Sequence, residues 1–142
     1  MKIGCLKEIK KHEYRVGLIP SDVKSYVSRG HQVMIQKGAG VAAGFSDDEY
    51  HKAGAHIIDD RNVIFDNCEM IVKVKEPLPE EYPLFHEGQI LFTYLHLAAD
   101  KVLTESLMKA GIKAVAYETI EEEEGRLPCL QPMSEIAGRL AV

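Results

Sequence analysis

What this sequence lacks narrows its role before any motif is weighed. No apolar run approaches the roughly 18 residues of a membrane-spanning helix. Near the start, Lys2, Lys7, Glu8, Lys10 and Lys11 interrupt any apolar core that a secretory signal would need. Cysteine is scarce and unpaired. Cys5, Cys68 and Cys129 are widely spaced with no Cys-x-x-Cys, so neither a disulfide framework nor a zinc site is signalled, and no metal is expected. Positive charge is in short supply as well: 17 basic against 22 acidic residues give a net charge of −5, which argues against nucleic acid or an anionic membrane as a partner. A reducing cytoplasm is the compartment these absences predict.

A dinucleotide fingerprint is missing too. Gly38-Ala-Gly-Val-Ala-Ala-Gly44 has the spacing G-x-G-x-x-x-G and runs into Phe45 and a fresh helix start. A phosphate-cradling turn opens directly into a helix amino terminus, with an acidic residue about 20 positions later. Asp59 and Asp60 satisfy the second condition but nothing satisfies the first, and the segment reads as a tight surface turn.

What is present fits one α/β domain. A chain of 142 residues, 46% hydrophobic and 27% charged, is long enough for its own core. Strand and helix patterns alternate, which predicts a mostly parallel sheet flanked by helices on both faces, Rossmann-like or flavodoxin-like. Strands are expected at 2–6, 31–36, 55–58, 70–75, 89–95 and 113–118. Pro20 fits the first turn of a helix that Gly30 ends. Ser46-Asp-Asp-Glu49 is a capping box for a short helix running to about Gly54, Asp60 caps a helix over 62–67, and Asp100 caps one that Gly111 stops. Pro77, Pro79 and Pro83 forbid a long helix over 76–84. Glu121-Glu-Glu-Glu-Gly125 reads as a solvated turn. The last residues, 134–142, read as a helix capped by Ser134 that has no stop signal, as though the sequence were cut within it.

Chemistry concentrates after the strands, where ligands bind in such sheets. Lys75 is expected to end the fourth strand, sharing a face with Lys73 by the two-residue period. A lysine there is either a guard of a sheet edge or a partly desolvated ammonium beside a substrate oxygen. His96 follows an apolar strand, with Tyr94 on the same face. Lone strand-end histidines are often structural, yet an imidazole here can shuttle a proton. Arg15 is either a surface cation or a two-pronged grip on a carboxylate. Tyr94, Glu118 and Met133 read as pocket wall or as ordinary core, and for Glu118 the ordinary reading is preferred. Ser134, taken as a cap beside free amides, is a natural anion or cofactor contact.

Lys7-Glu-Ile-Lys10, Glu13-Tyr-Arg-Val-Gly-Leu-Ile-Pro20, Lys73-Val-Lys-Glu-Pro77, Thr93-Tyr-Leu-His-Leu-Ala-Ala-Asp100, Ala116-Tyr-Glu-Thr119 and Pro132-Met-Ser-Glu-Ile-Ala-Gly-Arg139 together resemble the alanine dehydrogenase/transhydrogenase family. The resemblance runs from end to end, and the lysine and histidine blocks are similar to those of its alanine dehydrogenases. It implies NAD-dependent, reversible oxidative deamination of L-alanine to pyruvate and ammonia. His96 would be the catalytic acid/base, Arg15 and Lys75 the substrate-binding cations, and Ser134 a contact to the cofactor, NAD. It further implies a homohexamer, a substrate domain over 1–133, and a helix over 134–142 leading to an absent NAD-binding domain, so that the isolated chain is expected to be inactive. Two other readings remain: a transhydrogenase α-subunit-type domain, which has no need of Lys75 and His96 together, and a stand-alone non-catalytic small-ligand-binding or assembly module.

Overall fold

A computed structural model describes residues 1–140. Six strands, β1 (Lys2–Cys5), β2 (Gln32–Gln36), β3 (His56–Ile58), β4 (Met70–Val72), β5 (Ile90–Thr93) and β6 (Lys113–Ala116), form one sheet in the order β3-β2-β1-β4-β5-β6. Every adjacent pair is parallel. This is the Rossmann strand order, whose direction of progression reverses between β1 and β4, and the crevice beyond the carboxyl ends there is where such sheets bind ligands.

Local chemistry sets the helices largely as the sequence indicates. Helix α1 (Pro20–Ser28) opens with its proline, and the Asp22 carboxylate accepts the free Ile19 N–H. Helix α2 (Asp47–Lys52) carries the full Ser46/Glu49 capping box. Helices α3 (Arg61–Asn67) and α4 (Lys101–Ala110) are capped by Asp60 and Asp100, and Gly111 ends α4 in the left-handed conformation. Each such cap is worth roughly 0.5–2 kcal/mol. The proline-rich stretch between β4 and β5 contains only a single 3₁₀ turn, Tyr82–Leu84.

Burial on two faces divides the core. Ile3, Cys5, Val33, Ile35 and Val72 pack with Val23 of α1 and Tyr50 of α2. On the other face, Ile71 and Leu91 pack with Ile64 and Phe65 of α3 and with Leu103 and Leu107 of α4. The expected covering of both faces fails at one edge: Lys113, Ala114 and Val115 of β6 are exposed, Val115 by 41%.

Three boundaries differ from expectation. β4 ends at Val72, before Lys73 and Lys75, and β5 ends at Thr93, three residues before His96. The last helix, α5 (Gln131–Leu140), begins three residues before Ser134. Pro132 explains this shift, because a residue without an N–H is suited to a first helical turn and not to its interior. Ser134 is therefore no cap; its N–H is spent on the Leu130 carbonyl at 3.1 Å. Ala141 and Val142, at the end of the expected helix, lie outside the described residues.

Close approach of β1 to α3 requires a glycine in the strand. A Cβ added at Gly4 would fall 2.4 Å from Ile64 Cγ2 and 3.0 Å from Cys68 Sγ. Gly4→Ala is expected to destabilise the chain by about 1–3 kcal/mol through overpacking, read as a lower urea midpoint with an unchanged slope.

Candidate functional site

Beyond the end of β1 the chain peels away from the sheet, and three segments converge at the reversal point. The first carries Glu8, Glu13 and Arg15, the second Lys73 and Lys75, and the third Tyr94 and His96. Backbone N–H groups here have lost the ladder, and glutamates receive them. Glu8 Oε1 accepts from Val74 N at 2.6 Å and from Lys75 N at 3.4 Å. Glu13 Oε1 accepts from Arg15 N at 2.9 Å. Glu118 Oε1 accepts from Leu95 N at 2.9 Å and from His96 N at 2.7 Å.

Of the two lysines, Lys73 is the buried one. It is 0% exposed, with its ammonium 2.8 Å from Glu81 Oε1 and 3.4 Å from Glu8 Oε2. Because β4 lies in the middle of the sheet, the edge-guarding reading of both lysines is wrong. Glu81 also caps the Leu78 N–H at 2.9 Å, so one buried ammonium ties together the loops after β1 and after β4. Burial pushes the Glu8 carboxyl above its ordinary value, with Lys73 and the two amides opposing. An ion pair between Lys10 and Glu76 adds a second tie. Lys75 is only half-buried, and its charge is felt at Glu13.

Arg15 is bound along one edge. Its Nε and Nη2 donate to the two oxygens of Glu13 at 2.8 and 2.6 Å. Of five guanidinium N–H groups, this leaves three on the Nη1 and Nη2 end, and Nη1 donates one of them to the weak acceptor Met133 Sδ at 3.7 Å. The hydrogen bonds from Arg15, with its charge, outweigh partial burial and hold the Glu13 carboxyl down at about 2. The pair therefore stays ionic across ordinary pH, and at its other end Arg15 meets only the weak thioether acceptor of Met133.

A cavity of about 590 Å³ opens beside this arginine, walled by Arg15, Val74, Phe92, Tyr94, Tyr117 and Met133. Tyr94 donates its hydroxyl to the Cys129 carbonyl at 2.6 Å and meets the Tyr117 ring edge to face at 4.9 Å. Arg15, Tyr94 and Met133 thus come together as the sequence suggests. Lys75 and His96 are not among the lining residues: Lys75 directly follows the lining residue Val74, with its carbonyl accepting from Thr93 Oγ1 at 3.0 Å, and His96 lies two residues beyond the lining residue Tyr94. His96 is exposed and left-handed, with φ 50° and ψ 36°, a strained conformation for a residue with a Cβ. Among the described residues no cluster of His, Cys, Asp or Glu could hold a metal ion.

The glycine segment is not a phosphate cradle. Gly38 N donates to Asp47 Oδ1 at 2.8 Å, placing a carboxylate where a phosphate would sit, and only the single turn Val41–Ala43 follows. The sequence gives no role to Glu8, Glu13, Glu81 or Tyr117, and does not separate Lys73 from Lys75. Glu8 finds its partners as many as 67 positions away, which no local pattern announces, whereas Glu13 pairs only two positions on, with Arg15.

An all-parallel sheet in Rossmann order, with an arginine, a lysine and a histidine past the carboxyl ends of its strands, defines an α/β domain of the kind that binds ligands where its strand order reverses. The family described as alanine dehydrogenase/PNT, N-terminal domain, matches residues 4–137, and the chain belongs to it. The alanine dehydrogenase of Methanococcus maripaludis is 51% identical over 142 residues, covering all of this chain and 38% of the relative. That of Bacillus subtilis is 53% identical, covering 99% of this chain and 37% of the relative. A solved L-alanine dehydrogenase superposes with a TM-score of 0.95 at 54% identity over the whole chain and 39% of its own length. A transhydrogenase from Sinorhizobium meliloti gives 0.78 at 25% identity, covering 83% of this chain and 34% of its own. The chain spans about 38% of the length of the first of these relatives.

Two stability outcomes follow from this geometry. Lys73→Met is expected to cost about 3–5 kcal/mol, because it strands two buried carboxylates, whereas Lys75→Ala at a half-buried position should cost less than about 1 kcal/mol; urea unfolding of both variants checks this. For Glu13, the folded carboxyl lies at about 2, below an unfolded value of about 4.3. Its stabilising effect is full above about 4.3 and fades as pH falls through 2. Unfolding wild type and Glu13→Gln in urea between pH 2 and 7 should therefore show a gap at neutral pH that closes on acidification.

Proposed function

We propose that this chain is the substrate-binding part of an NAD-dependent alanine dehydrogenase. The observation that supports it most is the half-occupied arginine: Glu13 neutralises one edge of Arg15 and leaves the other facing a water-accessible cavity. With Lys75 nearby, Arg15, Glu13 and Lys75 sum to a single positive charge, which suits a monoanion such as pyruvate.

In this reading the end-on edge of Arg15 takes the substrate carboxylate through two parallel hydrogen bonds, and the Lys75 ammonium holds the 2-oxo or carboxylate oxygen. Tyr94 and Met133 wall the pocket. His96 exchanges a proton with the substrate, a role worth about 10²–10⁴-fold in rate. NAD, if bound, would supply the acceptor for the hydride of the alanine α-carbon, so that alanine, NAD and water would balance against pyruvate, ammonium, NADH and a proton. This chain fits the cofactor only sparingly. The glycine segment carries Asp47 in place of a phosphate, and Ser134 offers an exposed position on α5 but no free amide. We assign Ser134 one cofactor contact through its hydroxyl and the remaining contacts to sequence found in the longer relatives. A boundary after 133, as in the substrate-domain division, would fall inside α5. Assembly as a homohexamer and residence in the cytoplasm belong to the same reading. Among the described residues no helix is long and apolar enough to cross a membrane.

The test is pyruvate- and ammonium-dependent NADH oxidation by the full-length protein that contains this sequence. Arg15→Ala is expected to weaken pyruvate binding by about 2–5 kcal/mol, and His96→Ala to lower kcat at least 100-fold. The 142-residue chain by itself is expected to show no steady turnover. Wild-type rates that ignore pyruvate would refute the assignment, as would steady turnover by the short chain.

A further inference from the structure

We infer that Glu118 is a positioning residue for His96, and that its carboxylate holds the histidine in place by accepting two consecutive backbone amides. This rests on the reading of His96 as the acid/base group.

Thr93 is the last residue of β5 with a ladder partner on β6. The next N–H groups toward that side, those of Leu95 and His96, have no strand to receive them. Glu118 supplies both: Oε1 accepts from Leu95 N at 2.9 Å and from His96 N at 2.7 Å, while Oε2 lies 3.2 Å from Leu95 N. His96 is the only residue between β5 and α4 with a positive φ, at 50°. A β-carbon in that region is strained by an amount of order 1–3 kcal/mol, which persists only where the surroundings over-determine it. The charged acceptor on its own amide is such a constraint. The 3₁₀ turn Leu97–Ala99 that follows is anchored separately, by Thr104 Oγ1 on the Leu97 carbonyl at 3.1 Å. The histidine is thus fixed from both sides, with the imidazole left exposed.

The Glu118 carboxyl supports this arrangement by its acidity. Partial burial raises it, yet the amides of His96 and Leu95 and the charge of His96 bring it below its ordinary value. The carboxylate is the form the site favours. Glu118 itself stands in the 3₁₀ turn Tyr117–Thr119 just beyond β6, so β6 reaches the site through this residue.

The experiment uses the full-length protein in two measurements. The first is kinetic. Glu118→Leu keeps the bulk but no acceptor, and should lower kcat about 10–100-fold, of the order seen when a reacting group is misplaced by about 1 Å, while KM for pyruvate changes less than threefold, because Arg15 and Lys75 are held by other glutamates. Glu118→Gln, which retains an acceptor oxygen, should recover kcat to within about tenfold of wild type. The second is amide hydrogen exchange over 94–97, which needs no activity: wild-type Leu95 and His96 amides should be protected, and Glu118→Leu should expose them while the amides of β4 stay protected. Unprotected wild-type amides, or a kcat for Glu118→Leu within twofold of wild type, would overturn the inference. Should the wild-type protein fail to deaminate alanine, the functional reading falls, and exchange still decides whether Glu118 clamps His96.

Discussion

A parallel sheet ends in a row of N–H groups that have lost the neighbouring strand, and an amide buried without an acceptor costs about 1–3 kcal/mol. In this domain glutamate carboxylates meet that requirement at the points where chemistry is expected. Glu8 receives Val74 and Lys75, Glu13 receives Arg15, and Glu118 receives Leu95 and His96. Arg15, Lys75 and His96, past the strand ends, therefore each have a backbone amide received by a carboxylate. The rest of the site depends on this constraint, because a loop held only by water would let the side chains drift by more than the proposed reaction would tolerate.

The same carboxylates also set the field. A cleft containing Arg15, Lys73, Lys75 and a protonatable histidine would be strongly positive if unbalanced. Lys73 is neutralised inside the core by Glu8 and Glu81, and one edge of Arg15 is taken by Glu13. What faces the cavity is a partly committed guanidinium, with Lys75 just outside the lining. A modest positive field of this kind suits the small monoanion of the proposed function better than a polyanion, and the Gly38 turn already holds a carboxylate, that of Asp47. Buried Lys73 spends its charge on joining two loops, while Lys75, the proposed substrate lysine two residues on, is left half-buried.

Much of the fold was legible locally. Pro20, the Ser46/Glu49 box, Asp60, Asp100 and Gly111 each act over four residues or fewer, and each marks the helix boundary that its chemistry implies. Pro132 acts locally too, but the serine two residues later looked like the better cap and concealed it. The strands' existence was readable from apolar runs; their ends were not, because β4 and β5 stop where a partner departs rather than where composition changes. Alternation put Lys73 and Lys75 on one face and gave no reason to prefer either. Only the folded chain separates them, by bringing Glu81 and Glu8 to one ammonium. Glu118 was read as ordinary for the same reason: it lies 22 positions from the amide that it holds.

The most direct measurement is a crystal structure of the full-length protein with pyruvate bound. The account predicts the carboxylate on the free Nη1/Nη2 end of Arg15, with Glu13 still on the other edge, the 2-oxo group reached by Lys75, and the Glu8 and Glu118 amide bonds intact. Pyruvate bound away from Arg15, or an Arg15 that must abandon Glu13 to receive it, would contradict the claim that these glutamates hold a site ready for a small 2-oxo acid.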